Sequence, residues 1–293
     1  MRLYTLSYLR SIFTKNCNPK QNVQPVSGVM VKALTHNGVA VLGDTYNEKK
    51  HQISISTNFV TSVMVPEFSL HVITPEMDIW KQPFEKLPEK MRDIFYANYD
   101  PYWAIFWPGG QVLCRYIIDL PTVVANKRVV DLGAGSGALS IASILSGCEN
   151  VLANDIDNMS INAILLNIEK NDLMNLNKLQ VSNKNFLEGN IEDNAKELAD
   201  QSDVLLVGDM FFDEDIGDKI STLVSNYIKL SLESSPGMQQ KVVLIGDPGR
   251  WYLSDKNKRN LSPLRCIGKY ELTDEIKAHN YGLTHGFIYE VTV

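Results

Sequence analysis

The sequence predicts an α/β fold in which helices cover both faces of a mostly parallel, doubly wound β-sheet. From Lys127 onward, strand-like apolar runs alternate with segments of helical periodicity. The first run, Arg128–Asp131, turns through glycines directly into a helix, and later runs also close on an aspartate. Because ligands of such sheets bind beyond the carboxyl ends of the strands, these acids mark the predicted binding edge.

The predicted strands, in chain order, are residues 128–131, 151–156, 179–181, 203–209 and 241–247, followed by 266–272 and 287–293. The run Asp203-Val204-Leu205-Leu206-Val207-Gly208-Asp209 is apolar between its acids, as expected of a central parallel strand covered on both faces. The last two runs are expected to form an antiparallel pair.

Helices are predicted between these strands from the spacing of apolar residues. The helix after the glycine turn extends from about Ala138 to Ser146, and Gly147 is expected to end it. Leu113, Tyr116 and Ile117 predict a helix before the first strand. The helices after the second and fourth strands carry the buried stripes Ile161, Ile164, Leu165, Ile168 and Ile216, Ile220, Leu223, Val224, Tyr227, Ile228.

Residues 1–20 differ in composition from the rest of the chain. They contain Arg2, Arg10, Lys15 and Lys20 among apolar residues at near-helical spacing, and no acid precedes Asp44. This pattern is typical of a mitochondrial transit peptide and predicts a mitochondrial matrix location; a basic surface helix is the alternative. Residues 21–100 are expected to form an N-terminal extension with lead-in helices and a hairpin around His36-Asn37-Gly38, ahead of the main domain at 101–293.

Composition and charge weigh against several classes of partner and site. The net charge of −6 gives no electrostatic reason to bind nucleic acid. No apolar run approaches the roughly 20 residues that span a bilayer. The four cysteines and five histidines show no metal-binding spacing. The sequence therefore predicts no nucleic-acid partner, no membrane contact and no metal site.

The glycine turn Gly133-Ala134-Gly135-Ser136-Gly137 predicts a cradle for a nucleotide cofactor, since glycine permits positive φ and close approach of a ligand. Gly133, Gly135 and Ala138 also fit the dinucleotide spacing. The acid Asp131 favours S-adenosylmethionine over NAD, because a carboxylate attracts a sulfonium and an ammonium but repels a pyrophosphate. A tight turn without ligand is the alternative.

Three further residues are assigned to the predicted site. Asp155 suits the two ribose hydroxyls of an adenosyl group, whereas Asp157 is expected to cap the next helix. Trp107, next to Pro108-Gly109-Gly110, is expected to contact the cofactor; packing in the core is the alternative. Asp209 is the candidate for positioning an acceptor lysine amine, which must lose its proton before it attacks; a helix cap is its alternative.

The chain resembles the seven-strand protein methyltransferases of the lysine-modifying group, and more narrowly the mitochondrial lysine methyltransferases of the electron transfer flavoprotein beta subunit. The segments that carry the resemblance are Pro101-Tyr102-Trp103-Ala104-Ile105-Phe106-Trp107-Pro108-Gly109-Gly110, Val130-Asp131-Leu132-Gly133-Ala134-Gly135-Ser136-Gly137, Ala153-Asn154-Asp155-Ile156-Asp157, Gly208-Asp209-Met210-Phe211-Phe212-Asp213-Glu214-Asp215 and Ile245-Gly246-Asp247-Pro248-Gly249-Arg250. It implies a Rossmann-like fold and transfer of methyl groups from S-adenosylmethionine to lysines of that protein substrate.

The resemblance also implies roles for particular residues. By the resemblance, Trp107, Gly133, Gly135 and Asp155 are expected to bind the cofactor. Asp131, Gly137 and Gly208 complete the predicted cofactor-binding set. The predicted catalytic residues are Asp209 and Phe212, the ends of the family's acid-x-x-aromatic motif. Phe212 stands where tyrosine is expected in close relatives, so only its ring is expected to serve, as a wall of the lysine channel. Residues 21–56 and 183–201 depart from the family pattern.

Two alternatives remain open from the sequence. The acceptor could be a small molecule or RNA, although the acidic charge and the lack of an Asn-Pro-Pro-Tyr motif weigh against RNA. The chain could also be an assembly factor that binds a nucleotide without turnover.

Overall fold

A seven-stranded β-sheet forms the centre of the molecule. The computed structural model describes residues 35–36, 39–40, 44–82, 84–95, 101–232, 241–253, 261, 263–280 and 282–291. The strands of the sheet are β5 (Arg128–Leu132), β6 (Asn150–Asn154), β7 (Leu179–Ser182), β8 (Val204–Gly208), β9 (Val242–Asp247), β10 (Leu264–Glu271) and β11 (His285–Val291). Their order is β10-β11-β9-β8-β5-β6-β7.

All neighbouring strands from β7 to β9 pair in parallel, and β11 pairs antiparallel with both β9 and β10. The predicted mostly parallel sheet with an antiparallel C-terminal pair is therefore confirmed. The predicted starts of the last two strands are wrong by two residues, since β10 begins at Leu264 and β11 at His285. The predicted end of the second strand is also wrong: it ends at Asn154 rather than Ile156, and Ile156 is exposed. The turn to the next helix begins earlier because Asp155 already binds the backbone there.

Helices cover both faces of the sheet, as predicted. The helices among the described residues are α1 (Asp44–Ser56), α2 (Asp78–Lys81), α3 (Glu89–Phe95), α4 (Pro108–Asp119), α5 (Ala138–Leu145), α6 (Asn158–Lys170), α7 (Ile191–Gln201), α8 (Glu214–Leu232) and α9 (Asp274–His279). Side chains of α4, α5 and α6 pack in one hydrophobic cluster with Val129 and Leu206. Those of α7 and α8 pack in a second cluster with Val130 and Leu205. Since successive strand residues point to opposite faces, the two clusters lie on opposite sides of the sheet.

Local polar contacts set the helix boundaries. Asp157 caps α6 by accepting the Met159 N–H at 2.8 Å, as the sequence predicts. Gly147, with φ of 83°, follows the end of α5. Asn190 caps α7, a helix that was not predicted, by accepting the N–H groups of Glu192 and Asp193.

The part of the chain before the main domain packs against α6. It contains α1 and a hairpin of β3 (Asn58–Thr61) and β4 (Ser69–Val72). Asn167 of α6 accepts the His71 N–H at 2.7 Å and donates to the Ser136 carbonyl at 2.8 Å, so this buried amide joins the hairpin to the glycine turn. Phe68 belongs to the same hydrophobic cluster as α4. The predicted domain boundary at residue 100 stays a prediction.

The predicted N-terminal features are only partly covered. A short antiparallel pair, β1 (Thr35–His36) and β2 (Val39–Ala40), flanks the predicted turn at residues 37–38. The predicted transit peptide at 1–20 lies outside the described residues. Among the helices that the structure describes, none combines the length and apolar character needed to cross a bilayer.

Candidate active site

The glycine turn lies between β5 and α5 at the carboxyl edge of the sheet. Gly133 has φ of 69° and Gly135 has φ of 54°, a backbone conformation that residues other than glycine rarely adopt. A Cβ on Gly133 would also collide with the Met210 side chain, and one on Gly135 would lie 3.3 Å from the Trp103 carbonyl oxygen. Gly137, the third glycine of this turn that is predicted to bind the cofactor, precedes the first residue of α5. The backbone of this turn therefore requires glycines at its closest contacts.

Asp131 is fully buried directly before this turn. Its Oδ2 accepts a hydrogen bond from the Ser140 hydroxyl at 2.7 Å, whereas Oδ1 has no partner among the described residues. Burial raises the pKa of Asp131 to about 7, because desolvation penalises the carboxylate. A cation beside Oδ1 would supply the missing partner, which fits the ammonium or sulfonium of S-adenosylmethionine.

Asp155 lies beside the glycine turn at the end of the neighbouring strand β6. Its Oδ2 accepts the Gly135 N–H at 2.8 Å and its Oδ1 accepts the Asp157 N–H at 3.0 Å. Burial raises the pKa of Asp155, and its hydrogen bonds to the backbone oppose that rise. Asp155 is thus held by the backbone of the glycine turn, and its predicted contacts with two ribose hydroxyls stay a prediction.

Asp209 follows β8 and has a buried, fully partnered carboxylate. Its Oδ2 accepts the Gly109 N–H at 2.8 Å, at the start of α4. Its Oδ1 pairs with Nε of Arg250, which follows β9. The backbone of Asp209 has φ of 58°, an uncommon conformation for a residue other than glycine. Asp209 thus holds the N-terminus of α4, and its predicted contact with an acceptor stays a prediction.

Close contacts between backbones bring α4 to the ends of β8 and β9. A Cβ on Gly109 would collide with the Gly246 carbonyl, and one on Gly208 would lie 3.3 Å from the Gly110 Cα atom. This close packing explains why position 208 holds a glycine. The predicted contact of Gly208 with the cofactor stays a prediction. The glycines of the Trp-Pro-Gly-Gly segment let the helix approach Asp209 closely enough to be capped by it.

Asp247, at the end of β9, is another buried acid at this edge of the sheet. Its Oδ1 accepts the N–H groups of Gly249 and Arg250, each at 2.7 Å, and its Oδ2 has no partner among the described residues. Burial and the nearby charge of Asp209 raise the pKa of Asp247. Asp247 fixes the turn that carries Arg250.

Tyr102, Trp107 and Phe212 form a group of neighbouring aromatic rings close to Arg250. The Tyr102 ring lies 6.2 Å from that of Trp107 and 5.9 Å from that of Phe212. The Trp107 indole N–H donates to the Tyr102 carbonyl at 3.0 Å, and the Arg250 guanidinium carbon lies 5.7 Å from the Trp107 ring centroid. Phe212 is 40% exposed. The contacts of Trp107 thus place it beside Asp209; its predicted cofactor contact stays a prediction.

Arg250 and Tyr102 are the residues of this region that the sequence did not single out. Arg250 follows directly on the Pro248-Gly249 turn after a strand-ending acid, and this position is the sequence feature that could have identified it.

A cleft of about 260 Å³ opens here and is lined by residues that include Phe212, Asp213, Glu214, Arg250, Trp251 and Leu283. No group of three or more His, Cys, Asp or Glu side chains in the described part of the chain is arranged to hold a metal ion.

Comparison with known proteins gives consistent matches. Residues 112–206 match the ribosomal protein L11 methyltransferase (PrmA) family. The electron transfer flavoprotein beta subunit lysine methyltransferase of Xenopus laevis is 37% identical over 234 residues, which cover 80% of this chain and 82% of that protein. The Homo sapiens protein of the same name is 37% identical over 75% of this chain and 73% of its own. A putative SAM-dependent methyltransferase structure from Streptococcus mutans is 16% identical, with a TM-score of 0.45, over 64% of this chain and 50% of that one.

The buried Asp131 predicts a specific pH dependence of stability. An unfolded aspartate has a pKa of about 3.9, so the raised folded pKa of about 7 stabilises the fold below pH 4, and this contribution is lost as the pH rises through 7. Between pH 5 and pH 8, the free energy of unfolding of the wild type should fall by about 3 kcal/mol relative to Asp131→Asn. Urea unfolding at both pH values measures it. The exposed Asp193→Asn variant should follow the wild type, and parallel pH curves for wild type and Asp131→Asn would contradict the assignment.

Proposed function

The chain belongs to the electron transfer flavoprotein beta subunit lysine methyltransferases, and from this membership we propose that it transfers methyl groups from S-adenosylmethionine to lysine side chains of that flavoprotein subunit. The relatives that support the proposal match over most of their own length as well as over most of this chain. The observation in the structure that carries it is the cation-binding character of the sheet edge, where buried carboxylates adjoin aromatic rings.

Residues on β5 and β6 support S-adenosylmethionine as the methyl donor. The unpartnered Oδ1 of Asp131 is buried where a cationic group would satisfy it. The glycine turn exposes backbone N–H groups at the N-terminus of α5, and Asp155 offers lone pairs for ribose hydroxyls. S-Adenosylmethionine supplies an electrophilic methyl carbon on a sulfonium. The chain supplies a negative, desolvated setting that complements this positive charge.

Residues near the end of β8 support a lysine acceptor. The Asp209 carboxylate is fixed by the Gly109 N–H, and the rings of Trp107 and Phe212 both neighbour the Tyr102 ring. Aromatic faces and a carboxylate together bind an alkylammonium. Desolvation among the rings lowers the pKa of a lysine amine, whereas the carboxylate opposes that change. The role of Asp209 is therefore to position the nitrogen, and proton loss depends on the apolar walls.

The position of Phe212 is consistent with a wall rather than a proton acceptor. Its ring has no hydroxyl, and it packs at 5.9 Å from the Tyr102 ring. Its exposed part faces the cleft that also contains the acids Asp213 and Glu214. This acidic and aromatic rim complements the charge of a lysine-bearing protein segment.

We also propose that the chain works in the mitochondrial matrix. The acid-free, basic start of the sequence supports this location, and so does the flavoprotein substrate of its relatives. Import of the full chain into isolated mitochondria should yield a product protected from external protease but not from protease after the inner membrane is lysed. Product that remains accessible on the outside would contradict the proposal.

Binding of the methyl donor should depend on Asp155. Calorimetry with S-adenosylhomocysteine should show binding to the wild type and about tenfold weaker binding to Asp155→Asn, because the amide loses one charged acceptor for a ribose hydroxyl. Asp157→Asn, which keeps the cap of α6, should bind as the wild type does. Preferential binding of NADH, or unchanged affinity of Asp155→Asn, would show that the site is wrongly assigned.

Methyl transfer should depend on Asp209. In an assay with labelled S-adenosylmethionine and purified electron transfer flavoprotein, Asp209→Asn should lower kcat/KM by about 100-fold while the affinity for S-adenosylhomocysteine changes less than about threefold. Asparagine keeps an oxygen to accept the Gly109 N–H, so α4 stays in place. The matched control is Asp193→Asn, an exposed acid of α7 that does not line the cleft. Full activity of Asp209→Asn would refute the role of Asp209, and no transfer by the wild type would refute the proposed function.

A further inference from the structure

Arg250 binds the carboxylate of Asp209, which is the group proposed to bind the acceptor lysine. Its Nε pairs with Oδ1 of Asp209, and its guanidinium carbon lies 5.7 Å from the centroid of the Trp107 ring. The Asp209 side chain is fully buried in this arrangement, whereas that of Arg250 is 23% exposed. A carboxylate combined with an aromatic face is also the pair of groups that binds an alkylammonium. A cation of the chain itself therefore fills the position that an acceptor lysine needs.

The second carboxylate oxygen of Asp209 is already engaged. Its Oδ2 accepts the Gly109 N–H inside a fully buried side chain, and moving that oxygen would leave the start of α4 without its partner. Oδ1, where Arg250 already lies, is therefore the oxygen that a lysine ammonium can take without disturbing α4. Two cations within about 4 Å of each other in a desolvated site repel by several kcal/mol at an effective dielectric of 20. Binding of the acceptor and the observed position of Arg250 exclude each other.

The Arg250 side chain can leave without disturbing its backbone. Its N–H and that of Gly249 are both held by Oδ1 of Asp247 at 2.7 Å, which fixes the turn. The side chain lines the cleft together with the exposed acids Asp213 and Glu214. These carboxylates provide a charged surface on which a displaced guanidinium keeps an electrostatic partner.

We propose that Arg250 holds the acceptor position in the absence of protein substrate and that the acceptor lysine displaces it. The proposal rests on the proposed function, because it assigns the acceptor position of the same site. It makes Arg250 a positioning and selectivity residue. Only a positively charged group can take the place of the Arg250 guanidinium beside Oδ1 of Asp209. Neutral side chains such as glutamine cannot, since they would leave that buried carboxylate without a counter-charge.

The first experiment measures cation binding by the protein without cofactor. The Trp107 indole N–H is followed by NMR while n-butylammonium is added. Arg250→Gln should bind the probe about tenfold more tightly than the wild type, because no internal cation has to be displaced. The double variant Arg250→Gln with Asp209→Asn should lose this gain. Lys184→Gln, which removes a cation paired with Glu197 outside the cleft, is the matched control and should bind as the wild type does. Equal or weaker binding by Arg250→Gln would overturn the proposal, whatever the enzyme's activity.

The second experiment uses Arg250→Lys to place an amine in the acceptor position. The nitrogen of a lysine side chain lies as many bonds from Cα as the guanidinium carbon of arginine, which puts it above Trp107. With S-adenosylmethionine, the deprotonated nitrogen forms a bond to the methyl carbon as the carbon–sulfur bond breaks. S-Adenosylhomocysteine leaves as a neutral thioether, and the proton from the ammonium passes to solvent. Each transfer adds one methyl group to position 250.

Mass spectrometry of the intact chain and of its peptides should therefore show methylation at position 250 in Arg250→Lys. The rate should not depend on protein concentration, because the transfer occurs within one chain. The double variant Arg250→Lys with Asp209→Asn should remain unmodified. An unmodified Arg250→Lys, with the wild type active on its protein substrate in the same assay, would overturn the proposal. A wild type that methylates no protein would instead refute the proposed function, and the binding experiment would still decide the role of Arg250.

Discussion

The buried carboxylate of Asp209 is the group on which the packing around the ends of β8 and β9 depends. It joins the end of β8 to the start of α4 through the Gly109 N–H and to the turn after β9 through Arg250. A buried anion with donors on both oxygens is stable, whereas one left without partners costs several kcal/mol. The close passage of Gly109 and Gly246 is what lets the helix reach this anion. The glycines, the acid and the cation therefore form one structural unit held together by this carboxylate.

The sheet was predictable because its strands carry their own signal. Parallel strands covered on both faces have continuous apolar runs, and β5, β8 and β9 each show such a run closed by an acid. The helix α7 was missed, since its buried face consists largely of Ala195, Leu198 and Ala199 among many charged residues. The β3–β4 hairpin was missed for another reason. Its position depends on polar contacts with α6 that involve residues about a hundred positions away, such as the bond between Ser69 and Asn171.

The candidate site was predictable in its acids but not in their partners. The sequence placed Asp131, Asp155, Asp209 and Asp247 at strand ends, and the topology brings them to one edge of the sheet. It could not show that Gly109 and Arg250, 100 and 41 residues away from Asp209 in the chain, would bind its two oxygens. It also gave no measure of burial. The unpartnered oxygens of Asp131 and Asp247 emerge only when the surrounding helices are in place.

The amide of Asn167 has a consequence for how this family can diverge in sequence. It binds only main-chain atoms of its partners, the His71 N–H and the Ser136 carbonyl. As far as these two bonds are concerned, the side chains at 71 and 136 are free to change during evolution, because every residue except proline presents the same N–H at position 71 and every residue presents the same carbonyl at position 136. These two bonds constrain the side chain at position 167 instead. A homologue without an amide there needs another partner for each of these two backbone groups, which lie at the junction between the hairpin and the glycine turn.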